Sequence, residues 1–406
     1  MSVLKGKNIL IGVSSSIAIY KSLELISILK KRGCNIKVAM TKDAQKFISP
    51  LVFKALTNNE VYCDVMEEME LNDTNITHIA LAKWADLFIV VPATANIIAK
   101  MANGLSDDTV SLLALAVESV KIVAPAMNSA MYLNKITQNN LEKLKRNDFK
   151  IVEPVNGNLA CNTKGVGHIA DENDIVDFME SCFYDKILKD KNIIVTAGAT
   201  LEAIDPVRYI TNRSSGKMGF ALAKIARFMQ ADVSLISGHT NLKTPYGVKR
   251  IDIESADDML NALKNLIISM KGKEIILIMA AAVGDFKPYE YINRKIKKKE
   301  DETNFILKLT KNKDLTYEIN KFAKENDIDL TIIGFAAETN DLIINAKKKI
   351  IKKGLEFIVA NDISRSDIGF NSNDNEVTII DKSGKLEKLN KMNKEKLAFE
   401  ILRRIA

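Results

Sequence analysis

Residues 5–16, KGKNILIGVSSS, and residues 189–200, KDKNIIVTAGAT, decide how this chain is read. Each opens on lysines, runs through an apolar stretch of strand length, and breaks into small residues. After the first, IAIYKSLELISILKKRG (17–33) carries a helical pattern that stops at Gly33, and NIKVAMT (35–41) is a second strand. Strand, turn, helix and strand in that order open a parallel α/β sheet. The alternation continues through HIALAKWAD (78–86, helix), LFIVVPAT (87–94, buried strand) and ANIIAKMANG (95–104, helix). KIVAPAMN (121–128, strand), TQNNLEKLKRN (137–147, helix), KIVEP (150–154, strand) and ENDIVDFMESCFYD (172–185, helix) complete the first half.

From Lys189 the pattern starts again. ATLEAIDPVRYITNR (199–213) reads as a long polar connection, a type often kept for function. SSGKMGFALAKIARFMQ (214–230) is a helix, ADVSLISG (231–238) a strand, ADDMLNALKNLI (256–267) a helix and EIILIMAAAV (274–283) a strand. TIIGFAAET (331–339), the helical LIINAKKKIIKKG (342–354) and FIVAND (357–362) follow. EVTIIDKSGKLEKL (376–389) is a hairpin turning at Ser-Gly. The reading is two α/β domains of Rossmann-like parallel-sheet type, residues 1–188 and 189–406.

Bulk composition agrees. A chain of 406 residues exceeds what one core usually organises. At 47% apolar and 27% charged it has ordinary globular composition. No apolar run is of membrane-spanning length and the N-terminus lacks a signal pattern, so no membrane partner is expected. Four cysteines without CxxC spacing argue against a disulfide framework or a zinc site and fit a reducing cytoplasm. The net charge of +7 comes largely from lysine-rich stretches at 295–299 and 347–353. No RNA-type aromatic motif or helix-turn-helix accompanies it, so anionic small molecules are expected rather than nucleic acid.

In parallel α/β sheets function gathers beyond the carboxyl ends of the strands. The first half empties its strands there into SSS, PAT, PAMN and the loop PVNGNLACNTKGVGHIAD (154–171). Hydroxyls and N–H groups at Ser15 and Ser16, where a helix begins, suit a phosphate; without GxGxxG a dinucleotide is not indicated. Cys34, Cys63 and Cys182 lie in apolar or helix-patterned stretches, whereas Cys161 sits among glycines and polar side chains, where a thiol can reach a ligand. In the second half Ser214, Ser215, Gly216 and Lys217 offer a helix start to an anion.

SIAIYK (16–21), HIALAKWAD, PATANIIAKMANG (92–104), APAMN (124–128) and LAC (159–161) resemble the flavin-dependent phosphopantothenoylcysteine decarboxylases. AGAT (197–200), DPVRYITNRSSGKMG (205–219), AAAVGDF (280–286), KIKK (295–298), KNKD (311–314), GFAAET (334–339) and AND (360–362) resemble phosphopantothenate–cysteine ligase. In this order, over essentially the whole chain, they resemble the bifunctional decarboxylase–ligases of coenzyme A biosynthesis. Any one motif is weak; so many in register are specific.

For the first half the resemblance implies FMN held by Ser15, Ser16, Ile17, Thr41, Thr94, Ala95, Asn96, Ile97 and Ala126. A cysteine α-carboxylate has no neighbouring carbonyl to receive the electrons left by CO2, so oxidation at the CH2–SH group must create the sink, and the flavin supplies that redox chemistry. His78 is implied as the base at the thiol, a role that suits imidazole near neutral pH; a histidine at a helix start also serves as a cap. Asn128 is implied to hold the substrate carboxylate, though asparagine also forms turns there. Cys161 is implied as the acid that protonates carbon. Ser15 stands where many members carry glycine, Asn162 for glycine, His168 for arginine and Lys313 for proline.

For the second half the resemblance implies that CTP, as co-substrate with Mg2+, activates 4'-phosphopantothenate as an acyl-nucleotide that the amine of cysteine then displaces. Lys295 and Asn212 are implied in catalysis, and Arg208 and Asn212 in substrate binding. The implied nucleotide site is Ser214, Gly216, Ala281, Asp285, Lys295, Asn312, Asp314, Phe335, Lys349 and Lys353. No Mg2+ ligand is assigned. Lys349 and Lys353, four apart, share one helical face, as an anion clamp or a plain basic surface requires. The family pattern implies a homo-oligomer with trimeric flavin domains and dimeric ligase domains. Two other readings are a flavoprotein acting on peptidyl or other cysteines with an unrelated second half, and a regulatory binding protein on a decarboxylase-like domain. The second-half motifs weigh against the former, and intact His78, Asn128 and Cys161 against the latter.

Overall fold

The structure is a computed structural model that describes residues 2–64, 77–158, 164–297, 305–338, 342–362 and 372–406. It forms two compact units, Met1–Phe183 and Tyr184–Ala406. Cys161 and Asn162 lie outside the described residues.

The first unit is built on strands β1 (Asn8–Val13), β2 (Asn35–Met40), β3 (Val61–Tyr62), β4 (Leu87–Ala93), β5 (Val120–Pro125) and β6 (Phe149–Ile151). They pair in parallel in the order β3-β2-β1-β4-β5-β6. Leu10, Phe88, Val90 and Val123 face a core shared with the helices Thr77–Trp84, Ala95–Asn103, Thr109–Ala116 and Lys135–Arg146. The alternate residues Ile9, Ile11 and Ile89 are also fully buried, and helices Tyr20–Lys31 and Glu172–Ser181 pack together. Cover on both faces is why these strands read as continuous apolar runs. Helix Ala95–Asn103 buries Ile97, Ile98, Met101 and Ala102; Thr94 caps its start and Gly104 ends it in the left-handed region.

The second unit contains β9 (Asn192–Ala197), β12 (Asp232–Ser237), β13 (Lys249–Asp252), β14 (Ile275–Met279), β17 (Leu330–Glu338), β18 (Phe357–Asp362), β19 (Asp374–Asp381) and β20 (Leu386–Asn393). Their order is β13-β12-β9-β14-β17-β18-β19-β20, parallel up to β18 and antiparallel beyond it. Ile193, Val195, Ile278, Ile333 and Val359 point to helices Lys217–Phe228 and Lys394–Leu402. Ile194, Leu277, Ile332 and Ile358 point to helices Ala256–Ser269, Leu315–Glu325 and Leu342–Lys353. In each sheet the connections reverse direction between the first strand and its inward neighbour, β1/β4 and β9/β14, which opens a crevice at the carboxyl ends.

Two stretches read as loops hold antiparallel ladders. Residues 154–171 include the hairpin β7 (Val155–Asn158) and β8 (Lys164–His168), and residues 199–213 include β10 (Leu201–Ala203) paired with β11 (Tyr209–Thr211). Glycine and polar residues mask strand periodicity in the first, and in the second each strand is only three residues long. A further antiparallel pair, β15 (Phe286–Pro288) with β16 (Leu309–Lys311), follows β14 in the chain. Among the described residues no helix is long and apolar enough to cross a membrane.

One buried cation shapes the stability of the second unit. The Lys394 ammonium, in a residue only 7% exposed, donates to the Ser372 carbonyl at 2.6 Å. Burial, and secondarily the charge of Lys217, depress its pKa to about 8. The unfolded chain therefore binds the proton more readily, so this group costs stability below pH 8 and the cost is relieved as pH rises toward 10.5. Lys394→Met is expected to be more stable than the parent at neutral pH, with the difference shrinking by about 2 kcal/mol on going to alkaline pH, as read by denaturant titration.

Candidate active sites

In the first unit the crevice is assembled around Ser14. Its hydroxyl donates to the Pro92 carbonyl at 2.8 Å and accepts from the Thr94 N–H at 3.1 Å, joining the ends of β1 and β4. Thr94 Oγ1 in turn accepts from the Ile97 N–H at 3.4 Å. The Thr41 N–H donates to the Val13 carbonyl and the Ala126 N–H to the Ala93 carbonyl, each at 3.0 Å. Four strand ends thus converge on the residues Ser15, Ser16, Thr41, Thr94 and Ala126 named from sequence. Ser16 Oγ accepts from the Ala18 N–H at 3.2 Å and turns the chain into the short helix Ile17–Ile19. Among the described residues the N–H groups of Ser15, Ser16 and Ile17 have no partner, and Ile17 is exposed. A row of unpaired donors at a sheet's switch point fits the phosphate of a mononucleotide such as FMN. Ala95 and Asn96 open the neighbouring helix, while the Ile97 side chain is in the core, leaving only its backbone near the crevice.

Asn128 ends the β5 turn. Its Oδ1 accepts from the Ala130 N–H at 2.8 Å, capping the helix Ser129–Leu133 and fixing the carboxamide's orientation. The turn is tied to the hairpin through Gly167, whose carbonyl accepts from the Met127 N–H at 3.1 Å. Tyr132, on the same short helix, donates to Glu153 at 2.7 Å, and burial pushes its phenol well above the usual range. His78 is half-buried in the helix Thr77–Trp84. His168 lies on β8 with Nδ1 2.9 Å from the Ile169 carbonyl oxygen.

In the second unit three loops interlock over β9 and β12. Gly216 caps the helix Lys217–Phe228 with φ of 77°, and a Cβ there would stand 3.3 Å from the Gly198 nitrogen. The Ser214 hydroxyl accepts from the Gly216 N–H at 3.3 Å, and Thr240 Oγ1 donates to the Ser215 carbonyl at 3.2 Å. The helix start carrying Ser214 and Gly216 is thereby held against the TAGAT turn. Across the crevice the Ala281 N–H donates to Thr196 Oγ1 at 3.2 Å, and Ala282 bonds to Gly198 at 2.8 Å.

Asn312 joins this wall: its N–H donates to the Asp285 carbonyl at 2.8 Å and its Nδ2 to the Gly284 carbonyl at 3.0 Å. Among the described residues Asn312 Oδ1 is buried and finds no partner, and the same holds for Asn361 Oδ1 at the end of β18. Such acceptors suit an amino group of a nucleotide base. Asp314 caps the helix Leu315–Glu325 and pairs with Lys353 at 2.9 Å. Phe335 is half-buried on β17 and Lys349 half-buried on the helix Leu342–Lys353. Lys313 pairs with Asp257 at 3.2 Å. Asn212 and Lys295 are exposed. Arg208 is engaged by Asp205 and by the Ile296 carbonyl, at 2.6 and 2.7 Å from Nη2. No group of His, Cys, Asp or Glu among the described residues is arranged to hold a metal ion.

Sequence reasoning missed Ser14 and Asp205. For Ser14 the signal was the run of serines at 14–16, of which only the first is buried. For Asp205 it was the Asp-Pro step, which favours a side-chain-closed turn.

Residues 2–217 match the family description Flavoprotein, and residues 188–406 match the DNA/pantothenate metabolism flavoprotein C-terminal domain. The chain is 42% identical to the coenzyme A biosynthesis bifunctional protein CoaBC of Vibrio parahaemolyticus, covering 100% of this chain and 99% of the relative. It is 41% identical to that of Bacillus subtilis, over 100% and 98%, and 39% identical to that of Escherichia coli, over 98% and 96%. With both halves matched and such identity across the full length, the chain belongs to the family of bifunctional coenzyme A biosynthesis proteins CoaBC.

Proposed function

We propose that residues 189–406 join cysteine to 4'-phosphopantothenate at the expense of CTP, and that residues 1–188 decarboxylate the product, 4'-phosphopantothenoylcysteine, to 4'-phosphopantetheine. The observation that carries this reading is that each half matched to the family gathers polar groups at the switch point of its sheet, backbone donors in the first and buried amide acceptors in the second.

In the first crevice the N–H groups of Ser15, Ser16 and Ile17 hold the phosphate of FMN, and the Thr94–Ile97 turn, Thr41 and Ala126 bound it. FMN bound there supplies reversible two-electron chemistry. Asn128 orients the substrate carboxylate with neutral donors; a guanidinium would stabilise the carboxylate's charge and so resist the loss of neutral CO2, which leaves its electron pair on the substrate. His78 takes the proton from the substrate thiol, and Cys161 delivers one to carbon. Glycines 165 and 167 let the hairpin that carries Cys161 close on the substrate.

In the second crevice the substrate carboxylate attacks the α-phosphorus of CTP, releasing pyrophosphate, and the amine of cysteine then displaces CMP. The Ser214–Gly216 helix start and Lys349 and Lys353 hold the triphosphate, with Mg2+ accompanying it. Ala281, Asp285, Asn312, Asp314 and Phe335 bound base and sugar; Asn212 and Arg208 face the acyl group. Lys295 stabilises charge that develops on the α-phosphate. The working form is a cytoplasmic homo-oligomer, trimeric through its flavin domains and dimeric through its ligase domains.

The test is incubation of the full chain with 4'-phosphopantothenate, cysteine and Mg2+, adding CTP and ATP in turn. Pyrophosphate with CTP, followed by CO2, is expected from a yellow protein. A colourless protein that takes up no FMN overturns the first half of the proposal, and absence of pyrophosphate with either nucleotide overturns the second.

A further inference from the structure

The turn 204–208 holds the lysine-bearing segment at two points. Asp205 is 2% exposed, and Oδ1 accepts from the Val207 and Arg208 N–H groups, each at 2.8 Å, closing the turn that Pro206 begins. Oδ2 accepts from Arg208 Nε at 3.1 Å, from Nη2 at 2.6 Å, and from the Ile296 N–H at 3.0 Å. Arg208 Nη2 also donates to the Ile296 carbonyl at 2.7 Å. Both polar groups of the Ile296 residue are thus gripped by one ion pair. Four residues earlier the Ile292 N–H donates to the Ile204 carbonyl at 3.1 Å, and the Ile204 N–H is bonded to the Arg208 carbonyl at 2.8 Å. These donors hold the Asp205 carboxyl well below the usual carboxylate range, so the clamp is charged at all working pH values.

We propose that Asp205 is a positioning residue of the ligase site: with Arg208 it clamps the Ile296 backbone and so sets where the adjacent Lys295 ammonium stands. This rests on the role given above to Lys295. Arg208 is engaged by Asp205 inside the clamp, and the exposed Lys295 stands next to the residue that the clamp holds. A lysine on an exposed strand connection has many rotamers and a mobile backbone; fixing the neighbouring peptide removes the backbone share of that freedom, and a displacement of about 1 Å at a catalytic group can cost about 100-fold.

The experiment compares Asp205→Asn, Lys295→Gln and the double variant in the full chain, with decarboxylation measured on the same samples. Expected for Asp205→Asn is a ligase kcat lower by about 10- to 100-fold, KM for CTP and 4'-phosphopantothenate within about twofold of the parent, and unchanged decarboxylation. The double variant should be no slower than Lys295→Gln alone, because both remove one function. Amide hydrogen exchange at Ile296 should accelerate in Asp205→Asn, a readout independent of activity. A fully multiplicative loss in the double variant, a rise confined to KM, or an Ile296 amide that stays protected each overturns the clamp. Should Lys295→Gln retain the parent ligase rate, the assignment of Lys295 itself fails, a result separable from normal activity in Asp205→Asn alone.

Discussion

Gly167→Ala is expected to lower the decarboxylase kcat about 100-fold while leaving pyrophosphate formation by the ligase unchanged. Gly167 adopts φ of 129°, a region closed to alanine without strain, and a Cβ there would stand 2.4 Å from the Met127 carbonyl oxygen. Neither side can yield cheaply, because the Cβ is fixed rigidly to the Gly167 backbone and the Met127 oxygen is itself a backbone atom. The Met127 N–H donates to the Gly167 carbonyl at 3.1 Å, so the added methyl must part the hairpin β7–β8 from the turn that ends at Asn128. That separation moves the Asn128 carboxamide, proposed above to hold the substrate carboxylate, relative to the strand that carries Gly167. Gly157→Ala is the control: its Cβ would meet the His168 side chain, with a closest approach of 3.1 Å and no left-handed φ, and a ring can shift. CO2 release from 4'-phosphopantothenoylcysteine, with bound flavin quantified by absorbance, measures both. Normal decarboxylation by Gly167→Ala would show that hairpin and turn act independently.

Lys295→Gln is expected to lower the ligase kcat by about 10²- to 10³-fold, the usual loss when one group that stabilises transition-state charge is removed. Glutamine keeps length and a donor but lacks the charge that a developing phosphorane demands. The neighbouring Lys297 is also exposed, yet Lys297→Gln should change kcat by no more than about twofold, since an exposed lysine is worth little when it meets no developing charge. Pyrophosphate release under saturating CTP measures the difference, and decarboxylation of added 4'-phosphopantothenoylcysteine monitors the fold. Equal losses at both lysines would mean that the run acts as a diffuse basic surface.

Much of the fold could be read along the chain because parallel strands buried on both faces leave continuous apolar runs. NILIGV, LFIVVPA and IILIM are such runs, and each is a central strand. The hairpin inside 154–171 and the β10–β11 ladder were illegible for other reasons: β7 and β8 are mostly polar residues and glycine, and β10 and β11 are three residues each, too short to show a period, so that pairing rests on backbone bonds. The helix Thr109–Ala116 is apolar on nearly every side, so it too lacks a stripe. At the candidate sites, residue types suited to such chemistry could be singled out, His78, Asn128 and Lys295 among them. Ser14 and Asp205 were not, because a serine or aspartate reveals its work only through distant partners, Pro92 in one case and Ile296 in the other.

By itself the sequence determined the two-domain α/β architecture, the family, and the residue types gathered at the strand ends, since these follow from local hydrophobic periodicity and from motifs contiguous in the chain. Tertiary structure alone decided which backbone donors at Ser15–Ile17 find no partner among the described residues, that Arg208 is engaged by Asp205, and that Gly167 must lack a side chain. Each of these depends on atoms brought together from distant parts of the chain, and hydrogen-bond saturation and steric exclusion are properties of that meeting, absent from either segment alone.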